Sequence, residues 1–260
     1  MRTILFLGIF LLASATAASG SASSTNLEST FKTKDIQGTF VVLSLKSGAL
    51  NFTNGVRARK RFFPASTFKI ANSLIALETR AVGDENEIIP YGGKPQPFKS
   101  WERDMSMRDA ISVSNVPIYQ EIARRVGKGT YLEWLRKLEY GNRQIANDIE
   151  RFWLDGPLEI SAIEQVQFLT KLVSGKLPVS ERARRIVTDI LKLEQRNGKT
   201  LYGKTGWSIA PDPDIGWFVG WVDDGQDKHV FALNMDVHSR ADARLRKELT
   251  VQLLSQLGIY

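Results

Sequence analysis

The tetrapeptide Ser-Thr-Phe-Lys occurs twice in this chain, at Ser29–Lys32 and at Ser66–Lys69. A serine three residues before a lysine can act as a nucleophile with its own base, because a hydroxyl attacks well only when a neighbour takes its proton. A second pattern, "GKTLYGKT" at Gly198–Thr205, fits the phosphate-loop spacing GxxxxGK[ST]. That loop needs a strand before its first glycine and a helix opening after the Lys-Thr. Here a polar, helical stretch precedes it, and "GWSIAPDPDIG" follows, which is too rich in Pro and Gly to open a helix. The phosphate-loop match is accidental.

The two serine–lysine copies differ in context. The first runs into "TKDIQG" with no apolar period. The second follows "FFPA" and enters "TFKIANSLIALET", where Phe68, Ile70, Ala71, Leu74, Ile75 and Leu77 form a broad apolar stripe. Pro64 supports a helix start there. Ser66 and Lys69 then share one face, with the first-turn amides and the positive end of the helix dipole beside the serine. The obstacle is the base. A lysine in water, with a pKa of about 10.4, holds its proton and cannot accept another. Lys69 must be desolvated or chemically altered, and Phe68, the Val113–Val116 segment and Phe152–Leu154 are candidate apolar neighbours.

Other chemistries find less support. There is no cysteine, so thiol catalysis and thiolate metal sites are excluded. His229 and His238 lie outside any G-x-S-x-G or H-E-x-x-H setting, which argues against a Ser-His-Asp triad or a zinc site; His238 reads as an exposed loop residue. The formal charge is +7, and losing Arg2 with a leader takes it to +6. The basic clusters Arg57–Arg61 and Arg244–Lys247 read mainly as solvated surface, with no nucleic-acid motif beside them.

The elements that must position these groups follow from pattern. Arg2, the apolar run Ile4–Leu12 and the small residues after it predict a signal peptide over residues 1–22, with cleavage after Ala17, Ala18 or Ala22, and hence export to the periplasm. Residues 23–260 then form a single domain of two lobes, with no stable membrane insertion once the leader is removed. Leu27–Lys34 predicts a short polar helix, and "TFVVLSL" at Thr39–Leu45 predicts a strand with "GALNFT" as hairpin partner. From Pro64 to about Glu194 the period is helical, and two of the helices begin at serines suited to N-caps. Strands return in "TLYGKTG", "IGWFVGWVD" and "VFALNMDV", and "DARLRKELTVQLLSQLG" closes the chain as an amphipathic helix. This order predicts an α+β fold: an antiparallel sheet built from both chain ends and flanked by terminal helices, with a mainly helical lobe inserted between its halves. A cleft between the lobes is the natural place for a site.

In chain order, Ser66-x-x-Lys69, Ser114-x-Val116, Tyr140-Gly141-Asn142, Phe152-Trp153-Leu154 and Lys204-Thr205-Gly206 resemble the class D serine β-lactamases, the oxacillinases. The likeness spans essentially the whole mature chain and includes "PASTFKIANSLIAL", "SNVPIYQEIARR", "FWLDGPLEISAIEQ", "GKTG", "GWFVGWV" and "NMDV". It implies the serine β-lactamase and penicillin-binding-protein fold, and hydrolysis of β-lactam antibiotics through an acyl-enzyme on Ser66. It also implies a lysine base made by carbon dioxide, as a carbamate on Lys69, with no separate cofactor and no metal. Phe68, Val113, Val116 and Leu154 would line the carbamate pocket, and the Trp153 indole N–H would donate to the carbamate. Ser114 would pass a proton toward the leaving nitrogen, and Lys204 would supply positive potential. The backbone N–H groups of Ser66 and Trp207, the latter on an edge strand after Gly206, would hold the oxyanion. Thr205 and Arg246 would bind the substrate carboxylate, with Trp101 and Val116 as contacts for its side chain. The resemblance leaves open whether the protein is a monomer or a homodimer.

Tyr140-Gly141-Asn142 fits a structural turn as well as a catalytic one. The sequence departs from the pattern at Tyr91-Gly92-Gly93, where many members carry Trp-Asp-Gly, and at Asn115, an amide beside the pocket that could alter hydration near Lys69. Two rival readings stand beside this one. A non-hydrolytic transpeptidase or β-lactam sensor shares Ser-x-x-Lys and Lys-Thr-Gly. A basic, exported binding module would account for the charge and leader alone.

Overall fold

The computed structural model describes residues 27–209 and 212–260; the leader expected over residues 1–22 lies outside them. Helix α1 covers residues 27–33. Strands β1 (Gly38–Ser44) and β2 (Leu50–Phe52) follow, and then helix α2 (Gly55–Arg59). A 3₁₀ turn, Ala65–Phe68, leads directly into α3 (Lys69–Glu78). The helical lobe continues through the short pair β3 (Ile88–Ile89) and β4 (Met105–Ser106). It then runs through α4 (Met107–Ser112), α5 (Val116–Val126), α6 (Lys128–Lys137), α7 (Ala162–Val173) and α8 (Glu181–Ile190). Strands β5 (Lys192–Arg196), β6 (Lys199–Ser208), β7 (Asp214–Asp223) and β8 (Lys228–Val237) precede α9 (Arg240–Gln256).

The sheet order is β2-β1-β8-β7-β6-β5, so the N-terminal hairpin adds to the C-terminal strands as expected. All pairings are antiparallel, with Gly38 opposite Met235 and Ser44 opposite His229 where the two chain ends meet. Strand residues alternate between two buried faces. Phe40, Val42, Phe231, Leu233 and Met235 pack under the terminal helices with Leu27, Phe31, Leu249 and Leu253. Val41, Val230, Ala232, Val219 and Trp217 face the helical lobe. Covered on both sides, the central strands read in the sequence as nearly unbroken apolar runs.

Two serines cap helices as the sequence predicts. Ser161 forms a capping box with Glu164 at the start of α7, and the Ser180 side chain accepts from the Ala183 N–H at the start of α8. One boundary is corrected. The helix expected to run to Glu194 stops at Ile190, and Lys192–Arg196 pairs with β6 as a strand. Asn197 and Gly198, both at positive φ (49° and 76°), form the tight turn between β5 and β6. Asn-Gly between two strand-like runs is a strong hairpin signal, and it outweighs the helical period before it.

Candidate active site

The second serine–lysine copy spans the junction, with Ser66 in the 3₁₀ turn and Lys69 as the first residue of α3. In a 3₁₀ turn residues i and i+3 nearly eclipse, which suits the pair better than an α-helix does. The Lys69 Nζ donates to the Ser66 Oγ at 2.9 Å. Ser66 retains 9% exposure at the floor of the cleft, whereas Lys69 is fully buried. The first copy, on α1, keeps both Ser29 and Lys32 exposed, away from this site.

Several long-range contacts fix the turn. The Ala65 N–H donates to the Trp153 carbonyl at 2.8 Å. Thr67 Oγ1 donates to the Pro64 carbonyl and accepts from Gln165 Nε2 of α7 at 2.8 Å. Strand β6 presses on the turn through Gly206: a Cβ there would lie 3.0 Å from the Pro64 carbonyl oxygen and 3.1 Å from Thr67 Cγ2. A side chain at this position would push the turn back by a few tenths of an ångström.

Lys69 is walled by aromatics. Phe68 packs against Phe152 and Trp153, with ring centroids 5.2 and 5.7 Å apart, and the Lys69 Nζ lies 5.1 Å from the centre of the Tyr119 ring. Burial, and to a lesser extent the nearby Lys204, hold the Lys69 amine well below its ordinary pKa. No ion pair reaches it among the described residues, so the neutral amine is the form the site favours. Trp153 is also fully buried, and its indole N–H has no hydrogen-bond partner. An orphaned buried donor costs roughly 1–3 kcal/mol. A carboxylate-like group on Lys69 matches this chemistry: an amine depressed by burial in an apolar hollow, and a spare donor on the indole that packs against the neighbouring Phe68.

Val113 is 36% exposed and sits at the C-cap of α4, ahead of the turn to Ser114. Val116 and Leu154 are half-buried, as befits residues at a pocket mouth. Tyr119, which the sequence reading passed over, takes the enclosing role. Its place on the apolar face of "NVPIYQEI" is the signal that could have found it. Its hydroxyl lies 2.8 Å from Ser73 Oγ, and burial raises its pKa.

A second serine–lysine pair faces the cleft. Lys204 Nζ donates to Ser114 Oγ at 2.9 Å and to the Thr205 carbonyl at 3.1 Å. Desolvation, with Arg246 nearby, brings Lys204 down to about 7. Ser114 has φ +57°. A non-glycine residue held there stores on the order of 1–3 kcal/mol of strain and persists only where its surroundings enforce it.

Arg246 on α9 lies over β6 and β7, donating through Nη1 to the Gly206 carbonyl and through Nε to the Ala243 carbonyl. Its burial lowers its pKa to about 10, so it stays cationic at neutral pH. It thus separates from the rest of its basic cluster, as Arg57 does from the other one. Arg57 pairs with Asp236 at 2.6 Å and donates to Asn234 Oδ1 at 2.7 Å.

Thr205 and Trp207 are half-exposed on β6. Strand β5 pairs only with residues 199–202, so the Lys204–Ser208 half of β6 has no strand neighbour on that side. The edge-strand expectation for Trp207 therefore holds for half of an otherwise internal strand.

Tyr140-Gly141-Asn142 resolves as a structural turn. Gly141 has φ +50°, and a Cβ there would lie 2.1 Å from the Glu159 carbonyl oxygen. Asn142 donates to the Pro157 carbonyl at 2.8 Å and accepts from the Glu159 N–H at 3.1 Å, which clamps the segment bearing Trp153. Asn115 is also fully engaged: its amide partners are Ile118, Trp101 and Met105. His238 is exposed, as expected. Tyr91-Gly92-Gly93 lies in a loop, with the Tyr91 N–H bonded to Asp104 Oδ1 at 3.0 Å.

Comparison with known proteins agrees with this geometry. The penicillin binding protein transpeptidase domain matches residues 17–255. Beta-lactamase OXA-19 of Pseudomonas aeruginosa is 38% identical over 251 residues, covering 95% of this chain and 94% of that protein. Beta-lactamase OXA-48 of Klebsiella pneumoniae is 42% identical over 217 residues, covering 83% and 82%. The crystal structure of the class D β-lactamase FUS-1 from Fusobacterium nucleatum subsp. polymorphum superposes with a TM-score of 0.88 at 40% identity, covering 90% of this chain and 98% of that one.

Proposed function

Since the chain belongs to the class D β-lactamase family, a family of serine hydrolases, we propose that it opens the lactam ring through an acyl-enzyme on Ser66, with carbamylated Lys69 as the base. Addition of carbon dioxide to the neutral Lys69 amine releases one proton and supplies a carboxylate-like acceptor. The buried Trp153 N–H would donate to it.

Ser66 Oγ attacks the lactam carbonyl as Lys69 takes its proton. The backbone N–H groups of Ser66 and Trp207 hold the negative oxygen that develops. The ring C–N bond then breaks and Ser114 delivers a proton to the nitrogen through its bond with Lys204, while the proton taken from Ser66 passes from Lys69 to that pair, which leaves Lys69 free to act as a base again. Lys69 next takes a proton from water, which attacks the ester, and Ser66 recovers its proton. Arg246 and Thr205 hold the substrate carboxylate, the former with a fork suited to that anion. Trp101 and Val116 flank its side chain. Residues 23–260 act here as one catalytic domain of two lobes, and the leader expected before them supports delivery to the periplasm.

The observation that carries this reading is the buried, unpaired Lys69 amine 2.9 Å from Ser66 Oγ. The test is hydrolysis of a chromogenic cephalosporin by purified protein, with bicarbonate removed and then restored. Turnover should collapse on removal and return on addition. A stable acyl adduct with negligible turnover points instead to the transpeptidase or sensor reading, and no adduct at all defeats the enzyme assignment.

Lys204 supplies a pH prediction. With a pKa of about 7 in the free protein, it is cationic below that pH and increasingly neutral above it. Positive potential for an anionic substrate therefore falls as pH rises, while Arg246 keeps its charge until about 10. At saturating bicarbonate, KM for penicillins should rise severalfold between pH 6 and 8.5 and level off as Lys204 loses its proton. A KM flat across that range contradicts this role for Lys204.

A further inference from the structure

We propose that Asn115 is a positioning residue for this hydrolysis: its amide clasps the Trp101 segment onto the turn that carries Ser114. The inference rests on the role proposed above for Ser114.

Asn115 is fully buried and uses both ends of its amide. Oδ1 accepts from the Ile118 N–H at 3.0 Å and so caps α5. That bond turns Nδ2 toward the Trp101 carbonyl, 3.2 Å away, with Met105 Sδ at 3.6 Å. The Trp101 indole N–H answers with a bond to the Val113 carbonyl at 3.0 Å. Trp101 is thus gripped at its backbone and at its ring by the residues on either side of Ser114.

Among the described residues the segment's other hydrogen bonds are local, such as Trp101 N–H to the Phe98 carbonyl and Gln96 N–H to Glu102. Lys99–Trp101 is a single 3₁₀ turn whose ion pair, Lys99 with Glu102 at 2.6 Å, is local and exposed at the lysine. Phe98 lies against the Trp101 ring at 4.8 Å and is 44% exposed. Ser114, in turn, holds its left-handed backbone between Val113 and Asn115, both of which take part in the clasp. The amide therefore sets two positions at once: the hydroxyl beside Lys204 and the indole at the cleft wall. A serine or aspartate at this place would cap α5 equally well. The donor toward Trp101 is what asparagine adds.

The test separates the cap from the clasp. Asn115→Ser keeps a cap acceptor and neutrality but loses the Nδ2 group that reaches Trp101, because its hydroxyl sits on a shorter side chain. Asn115→Ala loses both. Trp101→Phe removes the answering N–H, trims the ring that flanks the substrate side chain and leaves α5 untouched, so it serves even where the Asn115 variants fold poorly, and the double variant separates the clasp from the lost contact. Asn115→Ser should keep a thermal midpoint near that of the parent and lose roughly 10- to 100-fold in kcat/KM, the scale expected of a small misplacement of reacting groups. The loss should show in kcat as well as in KM, with unchanged dependence on bicarbonate. Trp101→Phe should lose activity in the same direction, and the double variant should be little worse than either single one, because both bonds hold one segment.

Unchanged kcat and KM in Asn115→Ser, strictly additive losses, or a shifted bicarbonate dependence would each overturn the proposal. Ser114→Ala run in parallel guards the premise. Should that variant turn over normally, the role given to Ser114 is wrong; should it be inactive while Asn115→Ser is normal, only the clasp is.

Discussion

Lys69→Ala should reduce β-lactam turnover by roughly 10²–10⁴-fold or more, because general-base catalysis of that size is lost in both halves of the reaction. The variant keeps Ser66, the oxyanion amides and the cationic wall, so slow acylation should survive better than deacylation. Mass spectrometry should therefore find a long-lived adduct on Ser66 that the parent clears within the mixing time. Bicarbonate, which restores the stripped parent, should do nothing for this variant. Turnover of Lys69→Ala at parental rates would remove the base from the mechanism.

The same substitution has a stability signature of defined sign. The folded chain holds the Lys69 amine neutral at pH values where the unfolded chain, with a pKa of about 10.4, keeps it protonated. In that window the unfolded state binds the extra proton, so folding stability rises with pH by up to about 1.4 kcal/mol per unit, and the rise ends once both states are neutral. In bicarbonate-free buffer, Lys69→Ala should flatten the rise that leads up to about pH 10. The parent therefore carries a buried group that weakens the fold near neutral pH, a common cost of a site kept ready for chemistry.

Trp153→Phe should weaken the response to bicarbonate by roughly 10- to 150-fold, the equivalent of a hydrogen bond to a charged group worth about 1.5–3 kcal/mol. Phenylalanine retains most of the ring packing against Phe68 and Phe152 and removes only the indole donor. Turnover should be low at ambient bicarbonate and recover in part at high concentration, with deacylation more affected than acylation. Without bicarbonate the order of stabilities should reverse. The parent then buries an indole N–H with no partner, and the phenylalanine variant does not, so its thermal midpoint should be equal or higher. A bicarbonate titration that superposes on the parent's would show that Trp153 only packs.

Both predictions concern residues legible in the chain before any fold was known, but for different reasons. Ser66 and Lys69 stand out because helix geometry is local: an apolar stripe after Pro64 and a spacing of three residues suffice to place them on one face. The antiparallel sheet and the capped helices are legible on the same ground, since periods of 2 and 3.6 are written residue by residue. The β5 strand was missed because a helical period ran into it, and the Asn-Gly turn that ends it outweighs that period.

What the sequence determined by itself is the order of elements, the single serine–lysine pair with a helix behind it, and the exclusion of thiol chemistry. Only the tertiary structure decided that burial holds the Lys69 amine well below its ordinary pKa, that Tyr119 lies beside it, that the Trp153 indole N–H is left over, and that Asn115 faces Trp101. Periodicity depends on neighbours along the chain. Desolvation and hydrogen-bond partnership depend on whatever fills the surrounding few ångströms, and here that volume is filled by residues from four separate stretches of the chain, on α3, on α5, beside Trp153 and on β6.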